Sequence, residues 1–186
     1  MYEVAIEMIL QNEGGYANSS KDIGGETYRG ISRRYHPDWE GWIVIDKEKG
    51  KADFPGVLYT NGILKKMVRN FYIRYLTKPN IELIPERELR FFLYDMYVLM
   101  GKVAVKLFQE SLNVSACATI VEVDGVIGNE TVTNYIAMKN LENWTIELFM
   151  SCLLGYLMHS STAKHHFEGW EKRIFNNWDK LYGSKQ

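Results

Sequence analysis

Gln11-Asn12-Glu13-Gly14-Gly15-Tyr16 closes the first apolar-periodic run of the chain, and Asp22-Ile23-Gly24-Gly25-Glu26-Thr27-Tyr28-Arg29-Gly30-Ile31 follows shortly after. Tyr2, Ala5, Ile6, Ile9 and Leu10 recur at helical spacing, which predicts a helix over 2–11. Gly14-Gly15 ends it, because glycine tolerates the backbone angles of a helix stop. Glu13 is thereby left at a helix C-terminus, where the helix dipole mildly disfavours a carboxylate. Residues that break a local rule are candidates for function.

Outward from this stretch the chain reads as mainly α. Residues 14–30 hold five glycines and read as an ordered, irregular loop, with one helical turn at 31–35 closed by His36-Pro37. Trp42-Ile43-Val44-Ile45 reads as a short strand and 46–53 as a charged loop. Ile63, Met67, Phe71 and Tyr75 repeat every four residues, with Leu64 and Val68 widening the stripe, so 61–76 is helical and Pro79 stops it. A helix starts at Pro85, with Glu86 and Glu88 in its first turn, and runs to about Met100. Gly101 is a break or a close contact, and helix resumes over 103–112. Asp124-Gly125 and Gly128 mark turns, and Asn129 reads as the N-cap of a helix over 130–138. Two more helices are predicted at about 141–158 and 163–181.

The 186 residues suit one domain or two small lobes, and 46% hydrophobic content supports a packed core. A net charge of −1 gives no global drive toward polyanions, which argues against a nucleic-acid partner. No acidic residue lies between Phe54 and Ile81, while Lys65, Lys66, Arg69, Arg74 and Lys78 do; such a run could face an anionic polymer, and a solvated helix face is its commoner meaning. Cys117 and Cys152 are too few for a disulfide scaffold, and their apolar surroundings suggest buried thiols. Glu3 and Glu7 fall where an export leader would be basic and then apolar. Glu142 and Glu147 interrupt the apolar run 141–158, so a core helix is expected there and no stable membrane insertion. His159, His165 and His166 lack a ligand-spacing motif, and Asp124-Gly125-Val126-Ile127-Gly128 lacks the repeated acids of a calcium loop, so no metal or other cofactor is expected.

The chemistry suggested by the opening stretch is acid-assisted cleavage of a glycosidic bond. Such cleavage needs an acid to protonate the leaving oxygen and a carboxylate to activate water or face the oxocarbenium-like centre. Glu13, preceded by apolar residues, suits the acid, since partial burial would keep it protonated. Asp22, among Ser19, Ser20 and Lys21, suits the ionised partner, and Thr27 could hold the attacking water. Gly24, Gly25 and Gly30 would let backbone approach a bulky sugar, and Tyr16 and Tyr28 could stack on it. On spacing alone the commoner meaning of these residues is a helix end followed by a turn.

Glu13-Gly14-Gly15-Tyr16, Asp22-Ile23-Gly24-Gly25-Glu26-Thr27 and Gly30-Ile31 resemble the signature of the glycoside hydrolase family 108 N-acetylmuramidases. These are phage and prophage endolysin-type lysozymes, some labelled secretion activator proteins. The family pattern is Glu-Gly-Gly-Tyr, Asp-Pro-Gly-Gly-x-Thr and Gly-Ile-Thr. Asp95-Met96 with Val98 and Gly101, Ala104-Val105-Lys106 with Gln109 and Leu112, 124–128 with Thr131, and Gly169-Trp170 with Arg173 resemble the peptidoglycan-binding segment that follows in that family. Ile23 and Ser32 are mild departures. Tyr97 and Leu99 replace a small residue and an asparagine, and 115–122 is longer than the family norm. The resemblance implies a lysozyme-like α fold, Glu13 as catalytic acid, and hydrolysis of the β-1,4 bond between N-acetylmuramic acid and N-acetylglucosamine. Glu13, Asp22 and Thr27 are also spaced like the Glu–Asp–Thr set of phage-type lysozymes. It further implies a catalytic region over 1–90 and a peptidoglycan-binding-like helical region over 91–186, packed as one unit. The expected partner is the peptidoglycan glycan strand, reached from the cytoplasm through a holin-type or other non-classical release. The alternative, motivated by Leu99, is a non-catalytic wall-binding or secretion-associated module of the same fold. Asp95, in an apolar helix, is either a hydrogen-bond anchor or a site residue. Oligomeric state is not legible.

Overall fold

The computed structural model describes residues 2–18, 25–141, 144, 146–159 and 163–183, with only the backbone course for 163–166. It is mainly helical: α1 (Tyr2–Asn12), α2 (Gly41–Glu48), α3 (Gly56–Thr60), α4 (Gly62–Leu76), α5 (Arg87–Met100), α6 (Lys102–Ala116), α7 (Asn129–Asn140), α8 (Ile146–Met158) and α9 (Ala163–Tyr182). Three short antiparallel strands, β1 (Tyr16–Asn18), β2 (Glu26–Tyr28) and β3 (Ile31–Ser32), lie side by side in that order between α1 and α2. The chain divides into two compact units, Met1–Tyr75 and Leu76–Gln186.

In the first unit α1 buries Ala5, Ile6 and Ile9, the inward side of the predicted periodicity. α4 begins where the Asn61 side chain caps it, its Oδ1 accepting the N–H groups of Ile63 and Leu64, each at 3.0 Å. Its buried line is Leu64, Val68 and Tyr72, with Leu76 next in the same register. That is one residue round from the expected Ile63–Met67–Phe71–Tyr75 line, and Ile63 is 65% exposed. The aromatic members of the expected line are drawn sideways: Phe71 stacks with Tyr75, and His36 and Trp39 meet Phe71 edge-on.

The expected strand at 42–45 is part of α2. Gly41, Trp42 and Ile45 are buried while Ile43 is 61% exposed, a one-sided helical pattern that an alternating strand cannot give. Trp42 Nε1 donates to the His36 carbonyl at 2.8 Å and fixes the helix start. The expected helical turn at 31–35 is instead β3 and a turn, and the loop at 14–30 contributes β1 and β2. The strands exist because Arg29 and Gly30, with φ of 50° and 78°, form the two-residue hairpin turn whose twist matches its flanking strands. That use of a non-glycine residue has no simple sequence signature.

In the second unit α5 buries Leu89 and every residue from Phe91 to Tyr97, and packs on α6 and α9. α6 packs on α7 and α8, and α8 on α9. Phe108 meets Tyr135, Trp144 and Phe149 in an aromatic cluster, each buried ring stabilising by about 1.5–3 kcal/mol. Gly101, at φ 61°, is the break between α5 and α6. Asp124 and Gly125 form the expected turn, held from α6: Gln109 donates Nε2 to Asp124 Oδ1 at 2.8 Å and accepts the Gly125 N–H at 2.9 Å. Gly128, not Asn129, precedes the first turn of α7. Asp95 is 2% exposed, and its carboxylate accepts two bonds from Arg173, both 2.8 Å, and one from Asn177 Nδ2. It is a hydrogen-bond anchor joining α5 to α9. Cys117 is exposed at the left-handed end of α6, against the expectation of a buried thiol; Cys152 is partly covered, and burial pushes its thiol up. Among the described residues no helix is long and apolar enough to cross a membrane.

Candidate active site

Glu13 is the first residue beyond α1, and its N–H still bonds the Ile9 carbonyl at 3.0 Å. That last helical bond sets the direction in which the half-buried side chain leaves the helix. Its carboxyl lies over the β2–β3 turn. A Cβ placed on Gly30 would come within 2.5 Å of Glu13 Oε2 and 2.6 Å of the Tyr72 hydroxyl. Gly30 is therefore glycine for two reasons, its positive φ and the absence of room for a side chain. The room is taken by the protein's own carboxyl and phenol, which corrects the expectation that Gly30 makes space for a sugar. The turn is locked on both sides: Arg29 N–H donates to the Gly15 carbonyl at 3.1 Å, and the Tyr72 hydroxyl donates to the Arg29 carbonyl at 2.7 Å. Thus α1, the hairpin and α4 converge on Glu13.

Strand alternation sorts the other candidates. Tyr16 pairs with Tyr28, Ala17 with Thr27 and Asn18 with Glu26. Thr27 and Ala17 therefore share one face of the sheet, while Tyr16, Glu26 and Tyr28 share the other. Thr27 Oγ1 donates to the Gly25 carbonyl at 3.3 Å. Gly25 sits at φ 64°, and among the described residues nothing beyond its chain neighbours comes within 4 Å of where its Cβ would be. Asp22 and Gly24 lie outside the described residues.

The two tyrosines expected to stack on sugar have other partners. Tyr28 is 2% exposed and its hydroxyl donates to the Leu58 carbonyl at 3.0 Å, so it is a core residue and not an open platform. Tyr16 meets Phe54 edge-on, and its hydroxyl donates to Glu26 Oε1 at 3.0 Å. Tyr59, unnoticed in the sequence, packs against Gly15, and its hydroxyl accepts the Tyr16 N–H at 3.0 Å.

Behind the sheet Glu26 joins an ion network with Arg33, Asp46 and Lys49. Arg33 reaches Glu26 at 2.9 Å and Asp46 at 2.6 Å; Lys49 reaches the same two carboxylates at 2.9 and 2.7 Å. Burial would raise the Glu26 pKa, but hydrogen bonds from Lys49, Arg33 and Tyr16 outweigh it and hold the carboxyl below its ordinary value. The Arg33 and Lys49 bonds hold Asp46 well below the usual carboxylate range. The network ties the hairpin to α2, and it is ionised structure rather than a proton donor. No group of three His, Cys, Asp or Glu side chains able to hold a metal occurs among the described residues; the side chains of His165 and His166 lie outside them.

A helical chain whose first helix ends on a carboxylate above a small antiparallel sheet has a lysozyme-like fold. Residues 6–101 match the family Glycosyl hydrolase 108, and the chain belongs to that family of glycosidases. The match ends at the glycine separating α5 from α6. The solved structure of Brucella abortus SagA is similar over 100% of this chain and 96% of its own, with a TM-score of 0.72 at 22% identity, a likeness of fold. No curated protein sequence matches the chain.

Proposed function

We propose that the protein hydrolyses peptidoglycan, cleaving the β-1,4 bond between N-acetylmuramic acid and N-acetylglucosamine, with Glu13 as general acid. The observation that carries this reading is the placement of the Glu13 carboxyl. It leaves the end of α1, half-buried, over a turn whose glycine has no space for a side chain and which Tyr72 holds from α4. An acid so positioned keeps its geometry without reorganising at the moment of proton transfer. Family membership supplies the reaction class, a glycosidase. Asp22 is the carboxylate assigned to water activation or charge stabilisation, and Thr27, on the sheet face opposite Tyr16 and Glu26, the side chain assigned to hold the water. Gly24 and Gly25 are assigned to substrate binding, their lack of side chains suiting the approach of a bulky sugar. The C-terminal helical unit is assigned to wall binding, and the enzyme to action at the wall after a holin-type or other non-classical release.

Turbidity loss of purified sacculi tests the assignment. Glu13→Gln, nearly isosteric but unable to donate the proton, is expected to lower the rate by at least about a hundredfold, the lower range for general acid catalysis. Equal rates for the two chains would remove Glu13 from the chemistry. The same equality with no turbidity loss in either would leave a wall-binding module.

A further inference from the structure

Leu10, Tyr28, Arg29, Lys65, Val68 and Arg69 line a cavity of about 300 Å³ in the first unit. It is built from the same three elements that hold Glu13. Leu10 lies one helical turn before Glu13 on α1, and Arg29 directly precedes Gly30 in the β2–β3 turn. Lys65 and Arg69 stand on α4, upstream of Tyr72. The floor is apolar, with Tyr28 and Val68 buried, and three of the six described lining residues are cations.

The cations are placed, not scattered. Arg29 sits at φ 50°, a backbone region that costs a non-glycine residue energy and that both the Gly15 carbonyl and the Tyr72 hydroxyl enforce. Its guanidinium lies 5.5 Å from the centre of the Tyr59 ring, which orients the planar fork. Arg69 pairs with Glu3 from α1 while its side chain stays 38% exposed, and Lys65 is exposed. Because the whole chain carries a net charge of only −1, this positive cavity is a local feature. It also gives a physical role to part of the acid-free run between Phe54 and Ile81.

We infer that this cavity is an anion-binding subsite beside the cleavage site, in which Arg29, Lys65 and Arg69 take an anionic group carried by the wall polymer. The inference rests on the peptidoglycan reading above and deepens it. The shared ligand chemistry is a carboxylate or phosphate oxygen, and two sources offer it: the carboxylates of the stem peptides and the phosphates of accessory wall polymers. An arginine fork suits either oxyanion, and a lysine adds a point charge.

Binding by the full chain carrying Glu13→Gln separates this subsite from turnover. Four probes are used: intact sacculi, glycan strands freed of stem peptides by an amidase, sacculi freed of phosphate polymers by hydrofluoric acid, and strands given both treatments. Adding Lys65→Gln and Arg69→Gln is expected to weaken binding to intact sacculi at least tenfold and to flatten its salt dependence, since salt screens the attraction between exposed charges beyond about 8 Å at physiological ionic strength. Arg69→Lys, which keeps the charge, should retain most of the binding, and a thermal unfolding curve of the double glutamine variant matching that of its parent excludes a folding defect as the cause. A loss that disappears on peptide-free strands assigns the carboxylates; one that disappears on phosphate-free sacculi assigns the phosphates. Unchanged affinity and salt slope, or an equal loss on strands lacking both groups, would overturn the subsite. If the wild-type chain fails to cleave sacculi yet the binding loss appears, the hydrolase reading fails and the subsite stands.

Discussion

Glu13 and Gly30 act as a pair. The carboxyl occupies the volume that a Cβ on Gly30 would need, at a φ of 78° that alanine tolerates poorly. Gly30→Ala is expected to cost about 1–2 kcal/mol from the left-handed backbone. It also displaces the Glu13 carboxyl, and a shift on the order of 1 Å in a catalytic group costs about a hundredfold in rate. Turnover measured at a temperature where circular dichroism shows the chain folded should therefore fall far more than stability does. Unchanged turnover would mean that the carboxyl position does not matter. The sequence made Glu13 and Gly30 visible as separate features, an acid at a helix end and a glycine before isoleucine. It could not show that they touch, because Tyr72, the third partner, comes from 42 residues further on and off the centre of the expected apolar line.

At the scale of elements, the long helices were legible and the region between α1 and α4 was not. α4 and α5 follow from apolar periodicity and from Asn61 and Gly101 at their ends. α2 reads as a strand because Trp42-Ile43-Val44-Ile45 is a continuous apolar run; only its packing, with Ile43 outward, makes it a helix. The sheet was hidden because its tight turn uses Arg29 rather than Asn or Gly at the first left-handed position. Asp95 was legible as a buried acid needing partners, but Arg173 and Asn177, 78 and 82 residues away, could be supplied only by the fold. What attaches the sheet to α2 is the Glu26–Arg33–Asp46–Lys49 network. The Glu26 pKa is lowered below its ordinary 4.5, so its contribution is full above about that pH and is lost as pH falls through the depressed folded value. Glu26→Gln is expected to lower stability near pH 7 by about 1–2 kcal/mol, or roughly 2–8 °C in Tm. It should also flatten the acid limb of the Tm-versus-pH curve. An acid limb identical to the wild type would remove Glu26 from the linkage.

At the scale of the whole molecule, the family match places the chain among glycosidases and the fold likeness places its helices, while the bond it cuts follows from the proposed chemistry. Mass analysis of the fragments released from purified sacculi tests that chemistry most directly. If Glu13 protonates the leaving oxygen and water completes the reaction, the wild-type chain releases muropeptides ending in reducing N-acetylmuramic acid, and Glu13→Gln releases none. Anhydro-muramic ends, reducing N-acetylglucosamine ends, or fragments released equally by both chains would contradict it.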